Sequence, residues 1–201
     1  MFVKVGAKVD AIGGELETTP LNWAARSGHV HMCVLLIQAG ADPLQTDIEG
    51  FATIHLAAMF GHSNVVAYLL VKGADVDLPD RHGVTPLMHA CQRVQSRDPA
   101  QLLVTFNARL NVQDSKGNTA LHYCVAYNNL TCLEILVERG ASVDIKNNKV
   151  FKSPPPIFPP PCYYFLLIQS KIYNIECLLF VYRDKRRLSW PWRKRSSTRP
   201  I

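Results

Sequence analysis

Between residues 15 and 149, apolar side chains recur in short runs spaced for one face of a helix, and the runs come in pairs. The second run of each pair is the clearer one. Met32, Cys33, Leu35, Leu36 and Ile37 match Val65, Val66, Tyr68, Leu69 and Leu70, then Cys132, Leu133, Ile135, Leu136 and Val137. This spacing makes a wide apolar stripe that one helix pair cannot bury alone, so each pair must stack on another. The first run is shorter and opens at a threonine: Thr19-Pro20-Leu21-Asn22-Trp23-Ala24-Ala25, Thr53-Ile54-His55-Leu56-Ala57-Ala58, Thr85-Pro86-Leu87-Met88-His89-Ala90-Cys91 and Thr119-Ala120-Leu121-His122-Tyr123-Cys124-Val125. These threonines stand 34, 32 and 34 residues apart, a period that predicts a stacked solenoid. The expected fold is all-α: four helix pairs with projecting β-turn fingers.

The punctuation between runs agrees. Asp47-Ile48-Glu49-Gly50, Asp80-Arg81-His82-Gly83 and Asp114-Ser115-Lys116-Gly117 read as tight turns at fingertips, Asp bonding locally and Gly supplying positive φ. Each threonine is expected to cap a helix, with Pro20 or Pro86 just inside it. Gly28-His29 and Gly61-His62 end first helices, and Gly40, Gly73 and Gly140 end second ones. The third unit departs: Gln95-Ser96-Arg97-Asp98-Pro99 makes a longer link, with Asp98 as expected N-cap and Pro99 at N1, and Asn107 replaces the terminal glycine.

Composition divides the chain in two. Residues 1–150 hold 12 Lys/Arg against 14 Asp/Glu, whereas 151–201 hold 10 against 2, so the formal charge of +6 belongs to the tail. That removes the argument for reading the whole protein as nucleic-acid binding. No charged n-region followed by an apolar h-region opens the chain, which makes a reducing compartment the default for its cysteines. Cys33, Cys91, Cys124 and Cys132 fall on apolar helix positions and are expected to be buried, with no CxxC pair or zinc spacing to suggest a metal. No cofactor is expected.

Together these motifs resemble the ankyrin repeat, whose unit is an Asp-x-x-Gly-x-Thr-Pro-Leu-His turn and helix, Gly-His, a second helix and Gly-Ala-Asp. The resemblance covers about residues 5–147. It divides the chain into a partial repeat over 1–14, four repeats over 15–149, and a tail over 150–201. Gly6-Ala7-Lys8-Val9-Asp10-Ala11-Ile12-Gly13-Gly14-Glu15-Leu16, followed by the Thr19 run, is similar to the ankyrin-bearing palmitoyltransferases of the huntingtin-interacting type. Two other stretches carry the same likeness: Gly61-His62 with Val65-Val66-Ala67-Tyr68-Leu69, and the irregular third unit. In that family cytosolic repeats precede transmembrane helices and an Asp-His-His-Cys catalytic domain.

The resemblance stops after Asn147-Asn148-Lys149. Pro154-Pro155-Pro156 and Pro159-Pro160-Pro161 exclude a helix, and Asp-His-His-Cys occurs nowhere in the 201 residues. From Cys162 to Tyr182 the tail is greasy, but Gln169, Lys171, Asn174 and Glu176 interrupt it, so no membrane span is expected. The basic stretch from Arg183 to Arg195 is expected to be a solvated, disordered charge run. Phe/Pro/Ser/Leu richness after Lys-Val suits translated pyrimidine-rich intronic DNA, and the expectation is that 150–201 is not a natural domain.

Function is therefore sought on the repeated surface. The resemblance implies that Trp23, with Asn22 beside it, holds short unstructured peptides containing proline, and that Tyr123, which sits where Trp23 sits three units later, is a second contact. An indole offers a flat apolar face and an N–H donor, which suits a proline ring and a carbonyl. Asn22 stands where the family has histidine, and the unit that precedes Trp23 in the family is represented only by its end, so weak or no peptide binding is expected of this chain and measurable binding once that unit is restored. His55 and His122 are expected to be structural, bonding backbone across to the next unit, since no nucleophile or carboxylate accompanies them at catalytic spacing. Two functions stay open: a non-catalytic module binding protein partners, with no nucleic acid expected, or an incomplete stretch of a membrane S-acyltransferase. The first would be cytoplasmic, and the second would face the cytosol from Golgi or other internal membranes.

Overall fold

The computed structural model describes residues 8–93 and 98–148. Eight helices occupy the described residues: α1 Pro20–Arg26, α2 Val30–Gln38, α3 Thr53–Met59, α4 Ser63–Val71, α5 Pro86–Cys91, α6 Asp98–Thr105, α7 Ala120–Ala126 and α8 Leu130–Glu138. Odd-numbered helices pack on one another in an inner row, even-numbered helices in an outer row, and each odd helix packs on the even helix that follows. The contacts are between neighbouring units, as a solenoid requires. The expectations for 150–201, including the tail's disorder, its non-native origin and Cys162–Tyr182, lie outside the described residues. Within the described residues no helix is long and apolar enough to cross a membrane.

The inner helices supply a buried leucine or isoleucine as their second residue: Leu21, Ile54, Leu87 and Leu121 are at most 2% exposed. Cys33, Val65, Val66, Leu69, Leu103, Cys132 and Leu136 of the outer helices complete one continuous core. All four described cysteines are free and buried. Burial pushes the Cys33 thiol up to about 11, and contact with Cys91 together with burial pushes Cys132 higher still. Thiols so held stay protonated and act as small hydrophobes.

Helix starts follow two designs rather than one. In units one and three a threonine hydroxyl accepts from a backbone N–H three residues on, Thr19 from Asn22 at 3.2 Å and Thr85 from Met88 at 3.4 Å, with proline next in line. In units two and four a histidine reaches back instead: Ala52 N–H donates to His55 Nδ1 at 3.1 Å and Thr119 N–H to His122 Nδ1 at 3.0 Å. Thr53 is therefore not a cap. Ala52 precedes α3, and Thr53 is its first helical residue, where Pro20 and Pro86 stand in their units. Aligned this way, Thr19, Ala52, Thr85 and Thr119 stand 33, 33 and 34 residues apart, which corrects the period read from threonines alone. Asp98 likewise is the first residue of α6 rather than a cap preceding it.

The three Asp-x-x-Gly turns close as expected. Asp47 Oδ1 accepts from Glu49 and Phe51, Asp80 Oδ1 from His82 and Val84, and Asp114 Oδ1 from Lys116 and Asn118. Their tips, Ile48, Glu49, Arg81, His82, Ser115 and Lys116, are exposed. The first finger has no such aspartate. It closes by a backbone pair between Gly13 and Thr18. In the fourth unit Asn128 takes the positive-φ place of Gly28 and Gly61, and Asn107 does so in the third for Gly40 and Gly73.

Candidate peptide-binding groove

Four residues hold one position on the inner row, the fourth residue of each helix: Trp23, Leu56, His89 and Tyr123. Their surroundings differ because the fingers differ. His89 Nε2 lies 3.0 Å from Asp80 Oδ2, and the Tyr123 hydroxyl donates to Asp114 Oδ2 at 2.7 Å, so each folds back on its own finger. Burial and the neighbouring Asp114 carboxylate push the Tyr123 phenol well above its ordinary range. Burial alone would raise Asp114, but hydrogen bonds from Tyr123, from Asn118 and from the Lys116 backbone hold it below the usual carboxylate range. Leu56 and His89 are 4% exposed, whereas Trp23, whose finger has no aspartate at the place of Asp80 and Asp114, is 51% exposed. The row thus presents one exposed indole at its start.

Asn22 and Trp23 are neighbours in sequence but face opposite ways. Asn22 is fully buried: its Nδ2 donates to the Gln45 carbonyl at 3.4 Å, and its Oδ1 accepts from the Thr53 hydroxyl at 2.8 Å. His55, at the same place in the next unit, donates from Nε2 to the Leu78 carbonyl at 2.7 Å. Both partners lie 23 residues ahead, so asparagine does the bridging that histidine does elsewhere. Burial lowers His55 to about 4 and His122 to about 4, leaving both rings neutral at physiological pH. His55 and His122 are buried, at 0% and 2% exposure, and both hold the backbone of their own helix start.

Three groove residues escaped the reading of the sequence. The Arg26 guanidinium lies 5.5 Å from the Trp23 ring centroid and 4.8 Å from that of Phe60, and Arg93 lies 5.7 Å from the same Phe60 centroid. They belong to the ends of three inner helices, from units one, two and three. The signal was available: in residues 20–27, 53–60, 86–93 and 120–127 the only formally charged side chains are Arg26 and Arg93. Arg26 is held through its backbone, since its carbonyl accepts from His62 Nε2 at 3.0 Å. The Arg93 carbonyl likewise accepts from Asn129 Nδ2 at 2.6 Å. Among the described residues no group of His, Cys, Asp or Glu is placed to hold a metal.

This arrangement of fingers, inner row and outer row matches a known family. Ankyrin repeats, in three copies, match residues 2–80 and 54–147. The chain belongs to the ankyrin-repeat family. Its ankyrin stack is 51% identical over 149 residues to Palmitoyltransferase ZDHHC17 of Homo sapiens, an alignment covering 74% of this chain and 24% of that protein. It is 46% identical over 149 residues to the human Palmitoyltransferase ZDHHC13, again 74% of this chain and 24% of the relative. The Danio rerio protein named Putative palmitoyltransferase ZDHHC13 is 43% identical over 148 residues, 73% of this chain and 23% of its own. The chain therefore spans about a quarter of the length of the curated relatives it matches. The resemblance of the ankyrin repeats to those of this palmitoyltransferase group stands on these identities.

Proposed function

We propose that the ankyrin stack is a protein-interaction module that holds short unstructured, proline-containing peptides against Trp23. The observation that carries this reading is the 51% exposure of Trp23 in a row where the equivalent side chains are buried or tied to their own fingers. An exposed indole face on a rigid helix costs little to order when a proline ring lies on it, and proline has little freedom to lose. Trp23 is the contact in this reading. Asn22 acts behind it, fixing α1 to the second unit, and Tyr123 offers its ring rather than its hydroxyl, which Asp114 occupies. No chemistry is needed: a held peptide is concentrated near whatever the repeats are joined to.

Titrating the full chain and its Trp23→Ala variant with a panel of proline-containing peptides, followed by amide NMR shifts, tests the assignment. Shifts confined to α1 and the first two fingers, and lost in Trp23→Ala, are expected. Equal binding by both proteins overturns it.

The identities to palmitoyltransferases support a second reading, in which the stack is the substrate-recruiting portion of a membrane S-acyltransferase facing the cytosol from Golgi or other internal membranes. Its test is the genomic sequence downstream of the Lys149 codon. An Asp-His-His-Cys coding exon there supports it, and a transcript family that encodes residues 150–201 without one removes it.

A further inference from the structure

The strip beside Trp23 carries charge as well as apolar surface. We infer that Arg26, Phe60 and Arg93 form an acid-reading strip, so that the peptides held at Trp23 are ones carrying aspartate or glutamate next to their proline. This rests on the groove reading above and narrows it to a class of partner.

Two guanidiniums sit within 5.7 Å of one Phe60 centroid, and one of them also lies over Trp23. A ring attracts a cation through its quadrupole, but two cations on one ring repel each other, and at physiological salt the screening length is only about 8 Å. Their repulsion is relieved by an anion placed between them. Nothing of this chain supplies it among the described residues. The two ion pairs there are Asp80 with His89 and Asp77 with Arg109, and neither includes Arg26 or Arg93. The inner helices contain no carboxylate, those of Asp47, Asp80 and Asp114 on the fingers are taken by the N–H groups of their own turns, and Glu15, Glu17 and Glu49 enter neither ion pair.

The aromatic faces also hold the guanidiniums in place without satisfying their donors. A guanidinium lying on a ring keeps its N–H groups directed outward in its own plane, which is the geometry for a carboxylate fork. Backbone ties keep both arginines in register with the stack, Arg26 through His62 and Arg93 through Asn129. The chain's own basic region is a poor charge match for two arginines, since residues 151–201 hold 10 Lys/Arg against 2 Asp/Glu. A separate acidic peptide fits the charge, its proline on Trp23 and its carboxylates toward Arg26 and Arg93.

The test uses the full chain and synthetic peptides with one proline flanked by two glutamates, on its N-terminal or its C-terminal side, each with a glutamine twin. In at least one order the glutamate peptide is expected to bind about tenfold more tightly than its twin, and the advantage to shrink as salt rises from about 0.02 to about 0.5 M. Arg93→Gln, at an exposed position, and Arg26→Gln should each lower the ratio of glutamate-peptide to glutamine-peptide affinity several-fold. Arg26→Lys keeps the charge and controls for folding. Trp23→Ala should weaken both peptides alike. Equal affinity for glutamate and glutamine peptides, with binding still lost in Trp23→Ala, overturns the acid strip and leaves the groove. Binding of neither peptide overturns both. Self-association of the chain that Arg93→Gln abolishes would assign the strip to a second copy and overturn the inference as well.

Discussion

His55 Nε2 and the Leu78 carbonyl, 2.7 Å apart, join the second unit to the third, and Asn22 Nδ2 with the Gln45 carbonyl makes the same link one unit earlier at 3.4 Å. Histidine does two jobs with one ring, since its Nδ1 also accepts from the Ala52 N–H. Asparagine does the bridge alone, and the Thr19 hydroxyl takes over the helix start. The exchange has a consequence for pH, because only one of the two side chains titrates.

His55 and His122 are lowered to about 4 by burial, against 6.5 when unfolded. The unfolded chain therefore takes up these protons first. Stability should be full above pH 6.5, fall as pH drops toward 4, and level off below, each ring contributing on the order of 3 kcal/mol to the fall. Urea unfolding across this range checks it. His55→Asn combined with Ala52→Thr, which copies the Asn22 and Thr19 arrangement, is expected to keep the fold and remove one ring's share of the pH dependence.

Thr53 stands at the first position of α3, so its loss should be felt at Asn22 rather than at the helix start. Thr53→Val leaves the Asn22 Oδ1 buried without the hydroxyl that donates to it at 2.8 Å, a cost of about 1–3 kcal/mol. Thr53→Pro should cost no more than Thr53→Val, because Pro20 and Pro86 occupy the equivalent place and Ala52 already has the extended ψ of 168° that a following proline requires. Chemical denaturation of the two variants decides between a cap and an interior position.

Tyr123→Phe should separate stability from binding. Removing the hydroxyl takes one hydrogen bond from Asp114, so the Asp114 carboxyl should titrate higher and the chain lose about 1 kcal/mol. Peptide binding at Trp23 should be unchanged, since the hydroxyl faces Asp114 rather than a ligand. Carboxyl NMR titration and the peptide panel read the two effects independently.

Gly28 and Gly40 both have positive φ, but only one is crowded. A Cβ on Gly28 would meet the His62 ring at 2.5 Å, whereas one on Gly40 meets nothing within 4 Å. Gly40→Ala should cost about 1 kcal/mol of backbone strain, and Gly28→Ala distinctly more, because His62 must leave the Arg26 carbonyl. Thermal unfolding ranks them, and Gly28→Ala should also weaken acidic peptides by displacing Arg26.

Much of this protein was determined by local spacing. The paired apolar runs, the Asp-x-x-Gly turns and the glycines after five of the helices give eight helices and three of the fingers, because each depends on groups within a few residues of one another. The burial of Cys33, Cys91, Cys124 and Cys132 followed from the same periodicity. What only the tertiary structure decided involves partners from nine residues to about one repeat apart. Thr53 looks like a cap until its hydroxyl is found on Asn22, 31 residues back. Asn22 looks like a neighbour of Trp23 on the groove until Gln45 and Thr53 draw it inside. Tyr123 matches Trp23 in position, yet Asp114 takes its hydroxyl, and the first finger has no aspartate to do the same for Trp23. Arg26, Phe60 and Arg93 form a strip because stacking brings three units together, and a period repeats backbone positions without fixing which side chains will meet across them.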